Sequence, residues 1–273
     1  MARESPSRTA NPAVSAWLVA KGPWIRGDPS YDPDMDDLSD LLSSWPLDPS
    51  NPRVRVVQGL DGRHKVQVRL DLGVLQMEMD GRPDGLRPGG RESLLDLLRE
   101  DPAPDPLAPE RLEALRQEAG LYQQRATALM MAGFPGLAAR DCRRNLDLIE
   151  VVRERAARPE DRAAFEQLRL GLVVTRTRAE ASAALQVKDH SGALAALDAG
   201  LAAVRDAYTM IGQRNRFEAS AEVAILRSMR DMLVPRLPSS QRAELEERLR
   251  AAIASENYEL AAILRNELRQ MKE

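Results

Sequence analysis

The chain is poor in the residues that metal sites, acid–base chemistry and large sheets rely on. A single cysteine, Cys142, excludes an internal disulfide and any multi-thiolate metal site, as expected of a protein from a reducing cytoplasm. Two histidines, His64 and His190, leave few parts for imidazole catalysis or metal binding. Aromatic residues make up 4% of the chain, too few for a fold built mainly of strands. Long apolar runs are also lacking: residues 13–20 (AVSAWLVA) fall far short of the roughly 20 residues of a membrane span, with no signal-peptide cleavage pattern. Lysine is scarce, since Lys21, Lys65, Lys188 and Lys272 are the four among 39 basic residues. That arginine bias fits a GC-rich genome better than selection for bidentate anion recognition. A net charge of −3 gives no overall attraction to nucleic acid or an anionic membrane, which leaves only local patches.

What remains is rich in Ala, Leu and Arg, with 43% hydrophobic residues, enough for a substantial core and biased toward helix. The expected fold is mainly α: helical hairpins or a bundle, a small antiparallel β-meander near the N-terminus, and a C-terminal helical hairpin. Residues 1–36 mix Pro, Ser, Gly and acidic residues without a period, which predicts a disordered or loosely docked arm, with Trp17 and Trp24 as a possible docking pair.

A small β unit is expected over residues 37–100. VRVVQ at 54–58, KVQVRLDL at 65–72 and VLQMEMD at 74–80 alternate with a period of two. The Asp61-Gly62 signal predicts a hairpin between the first two runs. Gly73 leaves two readings open, a third strand or one long strand bulged there, and the inward face of the last run is accordingly Val74, Gln76 and Glu78 or Leu75, Met77 and Met79. ESLLDLLR at 92–99 predicts a short amphipathic helix covering the sheet. The four prolines of residues 101–109 predict a stiff linker and a domain boundary.

Beyond it, residues 110–236 carry apolar stripes at spacings of three and four. Leu112, Leu115, Ala119, Tyr122, Ala126 and Leu129 lie on one helix, and Leu137, Ala138, Cys142, Leu146, Ile149 and Val152 on the next, separated by Gly133-Phe134-Pro135-Gly136. A second hairpin turns at Lys188-Asp189-His190-Ser191, with Phe165, Leu168 and Leu172 before it and Ala193, Leu194 and Leu197 after it. The small residues Ala138 and Ala193, placed alike after each turn, give a weak similarity to tetratricopeptide repeats, but their separation exceeds that family's period of about 34.

The last segment, 239–273, predicts two short helices. Leu245, Leu249 and Ile253 recur every fourth residue, Ser255-Glu256-Asn257 breaks the run, and Ala261, Leu264, Leu268 and Met271 form a seam suited to close helix pairing. Two helices this short are marginal alone, so they need a partner: a second copy, another protein, or the rest of this chain. With Tyr258 folded over the corner, Ala262 beside the seam and Arg265, which with Glu259 and Glu267 is expected to form ion pairs within or between hairpins, these residues are the candidate interaction surface.

The string LEERLRAAIASENYELAAILRNELRQM, 245–271, resembles the UVR motif of the B and C subunits of bacterial excision repair: Glu256, Asn257, Tyr258, Glu259, Ala261, Ala262, Leu264, Arg265, Asn266, Glu267 and Leu268 follow it in order. The resemblance implies a helical hairpin for contact between proteins, and the motif also occurs in regulators of Clp-type proteases. Helicase, nuclease and zinc-ligand signatures do not accompany it. The β segment is similar to the front part of bacterial proteins that end in a UVR motif, which implies no activity.

Other candidates for chemistry are better read as structure. Cys142 lies on an apolar stripe, His64 and His190 sit in turns, and Glu78 and Asp80 are expected to face solvent. Arg140, Arg143 and Arg144 form a basic cluster diluted by Asp141 and Asp147. The expectation is a non-enzymatic adaptor without a cofactor, binding a protein partner or a second copy of itself. A nucleic-acid-associated repair accessory is the alternative.

Overall fold

The computed structural model describes residues 38–48, 50, 53–100, 106–233 and 239–270. The expected N-terminal arm, most of the proline linker and Met271 lie outside these residues. The chain divides into two compact units, one holding the residues up to Asn51 with Asp71–Gly73, the other Pro52–Leu70 and Val74–Glu273. Of the first, the described part includes a short helix, α1 (Ser39–Ser44).

The protein is mainly helical with one three-stranded antiparallel sheet, β1 (Val54–Gln58), β2 (His64–Leu70) and β3 (Gly73–Glu78), in the order β1-β2-β3. Val54 pairs with Val68, Val56 with Val66 and Gln58 with His64. The β1–β2 loop closes through Gly59 N–H to Arg63 O at 2.8 Å, with Gly62 at a φ of 75° that only glycine adopts at little cost. Gly73 opens a separate third strand, and the register it sets turns Leu75, Met77 and Met79 toward the core beside Val54 and Val66. The opposite face carries a polar ladder: Arg55 Nε donates to Gln67 Oε1 at 2.8 Å, and Gln67 Nε2 to Gln76 Oε1 at 2.8 Å.

Helix α2 (Leu94–Glu100) covers the sheet with Leu95 and Leu98. Ser93 and Asp96 cap it reciprocally: the Ser93 hydroxyl accepts from Asp96 N–H at 3.1 Å and donates to the Asp96 carboxylate at 2.6 Å. Then follow α3 (Pro109–Met131), α4 (Pro135–Arg155), α5 (Pro159–Gln186), α6 (His190–Met210) and α7 (Ala221–Leu233), each packed on the next. Proline opens α3, α4 and α5, where its missing N–H costs nothing. Every stripe residue expected on α3 and α4 is buried except Leu137, which is half-buried against the core. Leu168 is not: it stands half-exposed on the outer flank of α5 while Phe165 and Leu172 point inward.

One apolar cluster runs from Val54, Val66 and Met77 through Leu95 and Leu115 to Val204 and Leu233. The core therefore crosses the proline segment taken above as a boundary. Leu107, from that segment, is buried in it and donates its N–H to Arg155 O at 2.9 Å.

A buried polar network joins the β unit to the helices. Arg125 of α3 makes a bidentate pair with Asp141 of α4, Nε to Oδ2 at 2.7 Å and Nη2 to Oδ1 at 2.8 Å, both side chains being 1% exposed. Its remaining nitrogen donates to Glu78 O at 2.9 Å and Gly81 O at 2.8 Å, so one guanidinium holds the segment after β3. The fully buried Glu118 carboxylate accepts from Leu94 N–H at 2.9 Å and pairs with Arg144, whose guanidinium lies over the Tyr122 ring at 4.2 Å.

Candidate interaction site

The C-terminal hairpin consists of α8 (Ser239–Ala254) and α9 (Tyr258–Gln270). Its corner is a Schellman motif. Glu256 takes the left-handed conformation at φ 57°, its N–H donates to Ile253 O at 3.1 Å, and Asn257 N–H reaches Ala252 O at 2.9 Å. The Asn257 side chain then accepts from Leu260 N–H at 3.2 Å and caps α9. The acidic-Asn-aromatic corner thus has a physical basis: one residue that tolerates the left-handed region, then one that caps.

The same geometry closes α5. Lys188 has φ 60°, Lys188 N–H donates to Leu185 O at 3.0 Å, Asp189 N–H to Ala184 O at 2.9 Å, and Asp189 Oδ1 accepts from Gly192 N–H at 2.8 Å. Gly133 after α3 and Gly212 after α6 repeat the pair of backbone bonds. Four residues beyond the left-handed position's successor stand Ala138, Ala193 and Ala261, all buried, where a small side chain lets the helices approach.

The candidate surface residues divide into two sets. Leu245, Ala261, Leu264 and Leu268 are buried with Ala252, and Leu249 packs against them half-buried. The sixth member of this cluster, Leu194, comes from α6, so the hairpin rests on the chain's own body. Ile253, Tyr258, Ala262 and Arg265 face outward. Tyr258 is 70% exposed and so does not fold over the corner, where Asn257 supplies the cap. Two partly exposed apolar residues escaped the sequence reading: Leu260 at 37% and Ile263 at 38%, both lining clefts shared with the body, while Ile253 is 46% exposed. Their offset from the buried seam was the available signal.

The hairpin's ion pairs also differ from expectation. Glu259 pairs with Arg205 of α6 at 3.0 Å and Glu267 with Arg230 of α7, so both reach the body and do not staple the hairpin to itself. Those partners lie 54 and 37 positions earlier in the chain, beyond the reach of local sequence pattern.

Elsewhere, the basic cluster is engaged internally. Arg140 donates to Asp80 at 2.9 Å and to Met79 O at 2.7 Å, Arg143 pairs with Glu180 at 3.0 Å, and Arg144 with Glu118. Glu78 is largely covered and pairs with Lys65 and Arg63, correcting its expected solvent-facing position, while Asp80 is exposed. An open cleft of about 340 Å³ beside them is lined by Arg63, His64, Glu78, Asp80 and Arg82, charges of both signs. Cys142 is fully buried, and burial pushes its thiol up to about 12. Among the described residues, no group of three His, Cys, Asp or Glu is placed to hold a metal, and no helix is long and apolar enough to cross a membrane.

The architecture is that of a helical-hairpin protein with a sheet near its N-terminus and a helical hairpin at its C-terminus. The family model described as the UvrB/uvrC motif, UVR, matches residues 239–273, so the chain carries a UVR motif at its C-terminus. No curated protein and no solved structure matches the chain.

Proposed function

We propose that the protein is a non-enzymatic cytoplasmic adaptor that uses its UVR hairpin to bind a protein partner or a second copy of itself. The observation that carries this reading is that the apolar residues Ile253, Tyr258, Leu260 and Ile263 stay exposed on the segment that matches a known motif. Apolar residues grouped on one short element are a surface that association covers. The helical body acts as a rigid mount, its hairpins sharing one core with the sheet.

Light scattering and co-purification of the full chain against a 1–238 truncation test the proposal. The truncation is expected to lose either mass in solution or a set of bound proteins. Equal masses with an unchanged set of co-purifying proteins would overturn it. The repair-accessory alternative draws support from the motif alone, since Arg140, Arg143 and Arg144 are already paired. DNA binding that weakens steeply with salt is its signature.

A further inference from the structure

The geometry points to an ionic latch, centred on Arg230, that holds the UVR hairpin against the helical body and whose release uncovers the hairpin's inner seam. This rests on the adaptor reading, because it describes how the same hairpin is withheld or offered. The apolar part of the attachment is thin: of the cluster containing Leu245, Ala252, Ala261, Leu264 and Leu268, Leu194 is the one fully buried member supplied by the body. The polar part is strong. Arg230 Nε donates to Asp198 Oδ1 at 2.6 Å, and the far side of the same guanidinium pairs with Glu267. Arg230 is 7% exposed and Glu267 2%, while the Asp198 side chain is 33% exposed, so one buried cation bridges a buried acid on α9 and a partly exposed one on α6. Arg205 and Glu259 add an exposed pair at 3.0 Å beside it.

The junction is also imperfectly filled. Three clefts of about 260, 270 and 190 Å³ lie along it, each lined by residues of both the hairpin and the body, Leu194 with Leu245, Leu201 with Ile263, and Phe217 with Leu264. A permanent interface packs as densely as an interior. A buried ion pair adds little net stability over water, yet removing one partner is severely unfavourable. Together these features describe a contact that is specific in register and low in net strength, which is what a releasable latch requires. On release, Leu245, Ala261, Leu264 and Leu268 lose their cover from α6. Leu260 and Ile263, which line the junction clefts, open with them, and the hairpin adds these apolar residues to the already exposed Ile253 and Tyr258.

The test uses the full chain with nitroxide labels at Ala199→Cys on α6 and Glu247→Cys on α8, both exposed positions; the buried Cys142 takes no label. Pulsed dipolar distance measurements are expected to give one narrow distribution for the otherwise native chain. Arg230→Met strands the Glu267 carboxylate, and Glu267→Lys sets two cations together without touching the body's core. Each is expected to replace the narrow peak with a broad one at longer distance. The pair Arg230→Met/Glu267→Leu removes both charges and is expected to restore the narrow peak. Retention of the narrow peak in both single variants, or a broad distribution in the pair, overturns the latch. The light-scattering comparison reads the adaptor function separately, so either idea can fail without the other.

Discussion

The Arg125–Asp141 pair makes the most demanding prediction, because it joins two helices through the same buried guanidinium that holds the end of β3 and the segment after it. Asp141→Asn keeps the shape of the side chain but removes its charge, leaving the guanidinium of Arg125 at 1% exposure with only neutral acceptors. Breaking a buried pair by losing one partner costs about 3–5 kcal/mol, against a total stability of about 5–15 kcal/mol for a typical protein. With a urea m-value of about 2 kcal/mol/M, that loss lowers the unfolding midpoint by roughly 1.5–2.5 M. Arg125→Met costs as much by another route: it strands the Asp141 carboxylate and removes the donor that Glu78 O and Gly81 O share.

The double variant Arg125→Met/Asp141→Asn removes both charges and is expected to be milder than the sum of the singles by at least about 2 kcal/mol, since contacting groups are not additive. Amide exchange should also rise in residues 78–81, whose carbonyls the arginine holds, more than in α5 or α6. Equilibrium urea titrations of the four proteins decide the matter. An Asp141→Asn midpoint within experimental error of the parent, or a strictly additive cycle, refutes the idea that this pair fastens the β unit.

Three further outcomes follow from local geometry. A Cβ at Gly200 would lie 2.0 Å from Thr177 Cγ2 and 2.6 Å from Thr177 Cβ, so Gly200→Ala is expected to destabilise the α5–α6 contact by about 1–3 kcal/mol in thermal or urea unfolding. Glu256 and Lys188 occupy the left-handed region at φ 57° and 60°, where an L side chain costs about 1–2 kcal/mol. Part of that is offset by glycine's greater entropy when unfolded, so Glu256→Gly and Lys188→Gly should each raise the melting temperature modestly. For Cys142, whose thiol burial raises from 9.0 to about 12, the unfolded chain loses a proton that the folded chain keeps between those values. Its contribution is intact below pH 9 and declines by about 1.4 kcal/mol per unit above it. Cys142→Ala should therefore flatten the fall of stability over that window, and a thiol reagent should label the native protein only as fast as it unfolds.

The helices and strands were legible because each announces itself over a short window: period two in β1 and β2, apolar stripes on α3 to α6, and a capping corner between α8 and α9. The inward face of β3 was left open, since a glycine at its start removes the local cue to register and packing against Val54 and Val66 supplies it. The buried network was missed for a different reason. Glu118, Arg125, Asp141 and Asn145 each stand one position before a stripe residue, on the flank where polar side chains ordinarily reach water. Their partners come from remote segments: Leu94 lies 24 residues from Glu118, and Glu78 lies 47 from Arg125. Arg140, Arg143 and Arg144 looked like a basic patch because the acids that neutralise them, Asp80, Glu180 and Glu118, are distant in sequence.

The recurrence of one corner geometry after α3, α5, α6 and α8 explains how the C-terminal hairpin can be both part of the body and separable from it. A left-handed residue, a backbone bond reaching back five residues and, in three of these turns, a buried alanine past the corner build each hairpin, so α8 and α9 obey the rule that stacks the preceding helices. What distinguishes the last hairpin is how it is attached. The body helices share one continuous apolar core, in which Leu129, Ala138, Ala179 and Ala193 are fully covered. The last hairpin shares Leu194 and a bridge through Arg230. Apolar burial grows with area and does not depend on a partner's charge, whereas a bridge through one guanidinium is lost when either acid finds another cation. The same local rules thus yield a permanent stack and an exchangeable terminal layer, and the terminal layer is the one that carries the UVR motif.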